Sequence, residues 1–276
     1  MGASWRPIHE NHAIDVMAAV LTFSEPVPAL LFRKALKASE DAAFDAGLRS
    51  RHFVQGLEFT MGPAGLSAGP SQGANVRGQM FNSLADAENA VASSQLGEQL
   101  HVHQNQLVYR TWQYVSWSWQ SERLRTLFSP ALQVLAGSIS IQSQRLEYLD
   151  RFRSDGNPPG SELESIIRKD SQFIAPHVFL EEDLWHSHTG AFLPSIDTTK
   201  RLQQVHLDLL PDPPTGARWL NIMTAREDRF DDLSLDAVET NADVMLEAYN
   251  VMHSELKTLL AAIITDSMAR RIYLKD

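Results

Sequence analysis

The side chains best suited to chemistry are two histidine pairs. His101-Val-His103 and His186-Ser-His188 each set imidazoles two residues apart. On an extended chain both rings of a pair project from one face, as ligation of a first-row metal ion requires. Glu181, Glu182 and Asp183 precede the second pair and add carboxylates. A metal-dependent hydrolase using His101, His103, His186 and His188 is therefore one reading. Against it, no HExxH spacing occurs, and ten histidines in 276 residues produce such pairs by chance. Histidines exposed on a sheet face are the preferred reading, with no metal.

A second group is aromatic: Trp112, Tyr114, Trp117 and Trp119. On a strand, Trp112 and Tyr114 share a face and line a pocket or stack on a planar ligand, unless they only anchor a sheet to a helix. In the third group, alternation puts Tyr148 and Asp150 on one face of a strand and Arg151 on the other. His253, Ser254 and Asp150 spell the residue types of a hydrolytic triad. No Gly-x-Ser-x-Gly elbow accompanies them, and His253 reads as a half-buried packing residue. The binding candidates are thus Trp112, Tyr114, Tyr148, Asp150, Arg151 and His253, with no catalytic residue assigned. No cofactor is expected: the glycines of Gly62–Gly78 lack the Lys-Ser/Thr of a phosphate-binding loop, and that stretch reads as a mobile loop.

The elements that position these residues follow from hydrophobic periodicity. His12–Phe23 reads as a strand with Ile14, Val16, Ala18 and Val20 on one side and Met17, Ala19, Leu21 and Phe23 on the other, apolar enough to be covered on both. Ala29–Gly47 reads as a helix stopped by Gly47, and Arg51–Met61 as a second strand. Glu98–Gln104 and Leu107–Val115 form a hairpin around Asn105. The stripe Leu124, Leu127, Phe128 and Leu132 predicts a helix over Trp119–Leu135. Ser138–Arg153 reads as a long strand or a bent strand pair, with Ile139 and Ile141 early and Leu146 and Tyr148 later. Glu162–Lys169 reads as a short helix, and Phe173–Ser195 has no clean period. Lys200–Leu210 and Arg218–Ala225 form a hairpin, with Val205, Leu207 and Leu209 inward.

The strongest pattern closes the chain. Val238, Ala242, Met245, Tyr249, Met252, Leu256, Leu259 and Ile263 recur at steps of four and three, an apolar stripe about 40 Å long at 1.5 Å per residue. Asp236 and Glu239 at its start and Arg270, Arg271 and Lys275 at its end suit one helix dipole. Such a stripe covers an antiparallel sheet or forms a homodimer seam. The expected fold is α+β, mostly antiparallel, with helices on one face and a long C-terminal amphipathic helix. The break at Ser154–Ser161 divides an N-terminal half, residues 1–153, from a C-terminal half, residues 154–276, that together make one compact domain.

Cysteine is absent, which excludes disulfides, thiolate metal sites and cysteine nucleophiles. With 34 acidic against 24 basic residues the net charge is -10, which argues against a nucleic-acid partner. No apolar run spans a bilayer and no signal peptide pattern opens the chain, so a cytoplasmic protein is expected.

Three stretches resemble a sporadically distributed family of uncharacterised bacterial proteins of about this length. Asn11-His-Ala-Ile-Asp-Val16 is similar to that family's first strand. Glu147-Tyr148-Leu149-Asp150-Arg151-Phe152 is similar to its Arg-Tyr-Ile-Asn-Arg-Ile strand, with Glu147 and Asp150 replacing Arg and Asn. His253 and Ile264-Thr265 resemble its closing helix. The resemblance implies accessory or defence-type genes and carries no activity. The expectation is a non-enzymatic protein that binds a protein partner or small ligand.

Overall fold

Strand formation begins where β-branched and aliphatic side chains run without glycine or proline. After β1 (Trp5–Pro7), the first such run is β2 (Ile14–Phe23). The structure, a computed structural model, describes residues 5–274 except 56, 63–64, 71–75, 85–95, 155–159, 182, 197–198, 213–214 and 235–237. Helix α1 (Ala29–Asp45) ends as Gly47 takes a φ of 87°, and Leu48 N–H bonds back to Ala43 O at 2.8 Å. Only glycine adopts that left-handed turn without penalty. The following strands are β3 (Ser50–Gln55), β4 (Leu57–Gly62), β5 (Gly65–Pro70), β6 (Val76–Leu84), β7 (Leu96–His103) and β8 (Gln106–Thr111). Helix α2 (Trp117–Leu135) is capped by Ser116, whose hydroxyl accepts from Trp119 N–H. The chain continues through β9 (Ser140–Ser154), β10 (His186–Ile196), β11 (Thr199–Asp212), β12 (Ala217–Ser234), α3 (Val238–Ile263) and α4 (Asp266–Arg271).

One ten-stranded antiparallel sheet runs β10-β11-β12-β9-β2-β8-β7-β6-β3, with β1 pairing the end of β9. Strands from before and after residue 154 thus share one sheet. On β9 the even residues from Gln144 to Ser154 are buried and the odd residues from Ser143 to Arg153 half-buried, so the sheet has an inner and an outer face. The shift from odd Ile139 and Ile141 to even Leu146 and Tyr148 has a local cause. Gln142 is an extra residue between the Ile141–Phe23 and Ser143–Thr22 pairs, a bulge that reverses the alternation.

Helix α3 lies on the inner face. Met245, Tyr249, Met252, Leu256, Leu259 and Ile263 are all buried. Gln144 Nε2 donates to Met245 O at 2.6 Å, and the Tyr249 hydroxyl donates to Val20 O at 2.9 Å. Tyr249→Phe removes one buried bond and is expected to cost about 1 kcal/mol in urea unfolding. An unchanged midpoint would show that the bond is not formed in solution.

Several expectations are corrected. Ile14 and Val16 do not share a face, because Asp15 is a bulge residue between the Ile14–Asp150 and Val16–Leu149 pairs. On the outer side of β2, Val16, Val20 and Thr22 are only half-buried, so among the described residues that side has no second apolar layer. Ala18 is nevertheless 1% exposed, because Arg110 and Glu147 flank it as cross-strand neighbours. The single strand expected over Arg51–Met61 is divided between β3 and β4. Part of the glycine-rich Gly62–Gly78 stretch is strand: β5 pairs with β4, and Gly78 lies in β6. A Cβ at Gly78 would sit 2.4 Å from His103 Nδ1. The Glu162–Lys169 helix is instead a 3-10 turn over Gly160–Ser165 followed by an Ile167–Ile264 bridge. That bridge ends α3, and Thr265 caps α4, so Arg270 and Arg271 complement the short helix rather than the long one. Asp236 and Lys275, and the side chains of Val238 and Ala242, lie outside the described residues. Among the described residues no helix is long and apolar enough to cross a membrane.

Candidate binding site

Four sequence candidates converge on the inner face. Strand β9 directs Tyr148 and Asp150 inward, α3 supplies His253, and the β8–α2 connection supplies Tyr114. The Tyr148 hydroxyl lies 2.9 Å from His253 Nδ1. The His253 ring stacks on Trp117 at 4.4 Å and 6°, and Trp117 Nε1 donates to Asn250 Oδ1 at 2.8 Å. Tyr114 stands edge-on to Tyr148, His12 edge-on to Tyr114, and His9 against His12.

Burial sets the protonation of this cluster. It lowers His253 to about 4, so the imidazole is neutral at pH 7. It raises Tyr148 well above the ordinary phenol range, with the Tyr114 and Asp150 charges adding to the effect. Both groups are therefore neutral at pH 7, and the His253 tautomer sets which of the two donates. Asp150 is 1% exposed, its Oδ1 has no hydrogen-bond partner among the described residues, and burial pushes its carboxyl up to about 7. The Ser254 hydroxyl donates to Asn250 O at 3.1 Å, while His253 Nδ1 faces Tyr148. Ser254, His253 and Asp150 therefore form no triad.

Of the other two candidates, Arg151 lies on the outer face, and Trp112, expected on one strand face with Tyr114, instead follows the end of β8 at Thr111. Arg151 Nη1 donates to Asp15 Oδ2 and Nε to Asn221 Oδ1, both at 3.1 Å, and its guanidinium sits 4.4 Å from the Trp219 ring centre. The Asp15 bulge places that carboxylate within reach. Further along β9, Arg145 donates to Glu147 at 2.9 Å, to Gln204 at 2.6 Å and to Glu227 at 3.3 Å. Trp112 stands beside Arg110, whose guanidinium is 5.9 Å from its ring centre. Trp219, Asn221 and Gln204 escaped the sequence reading because they are ordinary outward positions of a hairpin. Their pairing with Arg151 and Arg145 depends on the β11–β12–β9 register.

The histidine pairs stay apart. His101 and His103 project from β7, and His186 and His188 from β10, six strands away, on the order of 30 Å at 4.8 Å per strand. His188 Nε2 lies 3.0 Å from Asp208 Oδ1 and its ring stacks on His206 at 4.2 Å. Asp183 lies 3.6 Å from Arg218, and Glu182 is outside the described residues. Among the described residues no three His, Asp or Glu side chains are arranged to hold a metal ion. No family model matches the chain, and no curated protein matches it.

Proposed function

We propose that this chain is a non-enzymatic binding protein of the cytoplasm. In this reading the helices lie on one face of the sheet, and the outer face receives a protein partner. The supporting observation is the row of pre-positioned guanidiniums on β9. Arg145 is braced by Glu147, Gln204 and Glu227, and Arg151 by Asp15, Asn221 and Trp219. Side chains already held in place lose little further entropy on association, which favours a recognition surface. Alternating charge across the strands suits a protein of mixed charge better than a uniformly anionic polymer. The resemblance to the sporadic bacterial family supports a partner among the products of accessory or defence-type genes.

The test compares proteins retained from a lysate of the source organism by immobilised wild type, Trp112→Ala and Asp15→Asn/Arg151→Ala. The double variant avoids leaving the Asp15 carboxylate buried without its cation. Leu180→Ala, at an 81% exposed position outside the sheet, serves as the control. Partners retained by wild type and control but lost from Trp112→Ala and Asp15→Asn/Arg151→Ala are expected. Identical retained sets for all four proteins rule the outer face out.

A further inference from the structure

We infer that one end of the outer face is a small-molecule site for a planar aromatic anion. Three register shifts coincide there: at Gln142 in β9, between Arg229 and Leu233 in β12, and between Leu193 and Ile196 in β10. A cleft of about 880 Å³ lies there, lined by Thr22, Ser143, Phe192, Lys200, Arg229 and Phe230, among others. That volume lies within the range of small-ligand pockets.

The lining joins two chemistries. Phe192 is 58% exposed, and the Arg229 guanidinium lies 5.4 Å from its ring centre. One face of the ring is thereby held by a cation, and the other remains for a planar group to stack on. The second feature is charge. Lys200 and Arg229 are direct cross-strand partners of β11 and β12. Like charges placed opposite each other on neighbouring strands repel. Glu227, also in the lining, offers little relief. Its carboxylate accepts from Arg229 Nε at 2.7 Å and lies 3.3 Å from Arg145 Nη1, so two guanidiniums already share it. Lys200 has no ion pair among the described residues. An anion between its ammonium and the Arg229 guanidinium removes the repulsion and gains charge-assisted hydrogen bonds. Ser143 and Thr22 continue the same cross-strand row beyond Arg229, and their hydroxyls supply further donors. The occupant is therefore an arene bearing a carboxylate or a phosphate.

Isothermal titration with 2-naphthoate, 2-naphthyl phosphate and uncharged 2-naphthamide tests this site. Saturable one-to-one binding of at least one anion is expected, with the amide at least about tenfold weaker. The anion that binds more tightly identifies the head group. Lys200→Gln, Arg229→Gln and Phe192→Ala should each weaken binding by roughly three- to tenfold. All three side chains are exposed, so the fold is not at risk. Failure of both anions to saturate, equal binding of the amide, or unchanged affinity in all three variants overturns the inference. The proposed partner surface is tested separately: Trp112→Ala should keep naphthyl binding, and Lys200→Gln should keep partner capture.

Discussion

Arg123→Met is expected to lower the unfolding free energy by about 3–5 kcal/mol, the cost of leaving a buried carboxylate without its cation. Arg123 reaches from α2 to β7, where its Nη2 donates to Glu98 Oε2 at 2.5 Å and its Nε to Oε1 at 3.1 Å. The same Nη2 donates to Ala46 O at 2.5 Å, satisfying a carbonyl that the end of α1 leaves open. The two side chains are only 17% and 8% exposed, so solvent screens the pair little. The Tyr109 hydroxyl donates to Glu98 Oε1 at 2.5 Å. Burial, and then the Glu98 charge, raise Tyr109 far above the usual phenol range, so it stays a donor but cannot neutralise the carboxylate. Urea unfolding followed by circular dichroism measures the loss. Arg123→Met/Glu98→Leu should recover most of it, since a well-packed apolar pair often equals a buried ion pair. A loss below about 1 kcal/mol for the single variant would show that Glu98 finds water or another donor.

Asp150→Asn is expected to stabilise the protein at pH 8 and to leave it nearly unchanged at pH 4. Burial raises the folded carboxyl from 3.8 to about 7. Between those values the folded chain keeps a proton that the unfolded chain has lost. Stability therefore falls as pH rises through that window and levels off above it. Three pH units correspond to about 4 kcal/mol, an upper bound on the gain from the uncharged amide. A gain of about 2–4 kcal/mol at pH 8 is the expected result, because Tyr148 and Tyr114 stay protonated beside it and no cation is lost. Urea midpoints at pH 4, 6 and 8 for both proteins isolate the effect, since every other titrating group is common to them. Parallel pH profiles would mean that Asp150 ionises as easily in the folded chain as in the unfolded one.

Much of the candidate chemistry was legible in one respect and hidden in another. Alternation along Glu147–Phe152 separates Tyr148 and Asp150 from Arg151, and the sheet keeps them on opposite faces. Nothing local to Tyr148 points to His253 or Trp117, which reach it from α3 and from the start of α2. The cleft is harder still to read, because it lies at irregularities in three strands that meet only when the sheet is assembled. The histidine pairs show the reverse: spacing brings two imidazoles to one side, but strand order separates the pairs.

The elements themselves were set by short-range physics. The apolar steps of α3, the Gly47 stop of α1 and the hairpin around Asn105 depend on neighbours a few residues apart, so the sequence alone reveals them. Only the tertiary structure decided that β9 joins β2 to β12, that Ile264 leaves α3 to bridge Ile167, and that Lys200 faces Arg229. Each of those pairings is chosen by packing and register between distant segments, where one residue of slip moves every side chain to the other face. No local pattern carries that information.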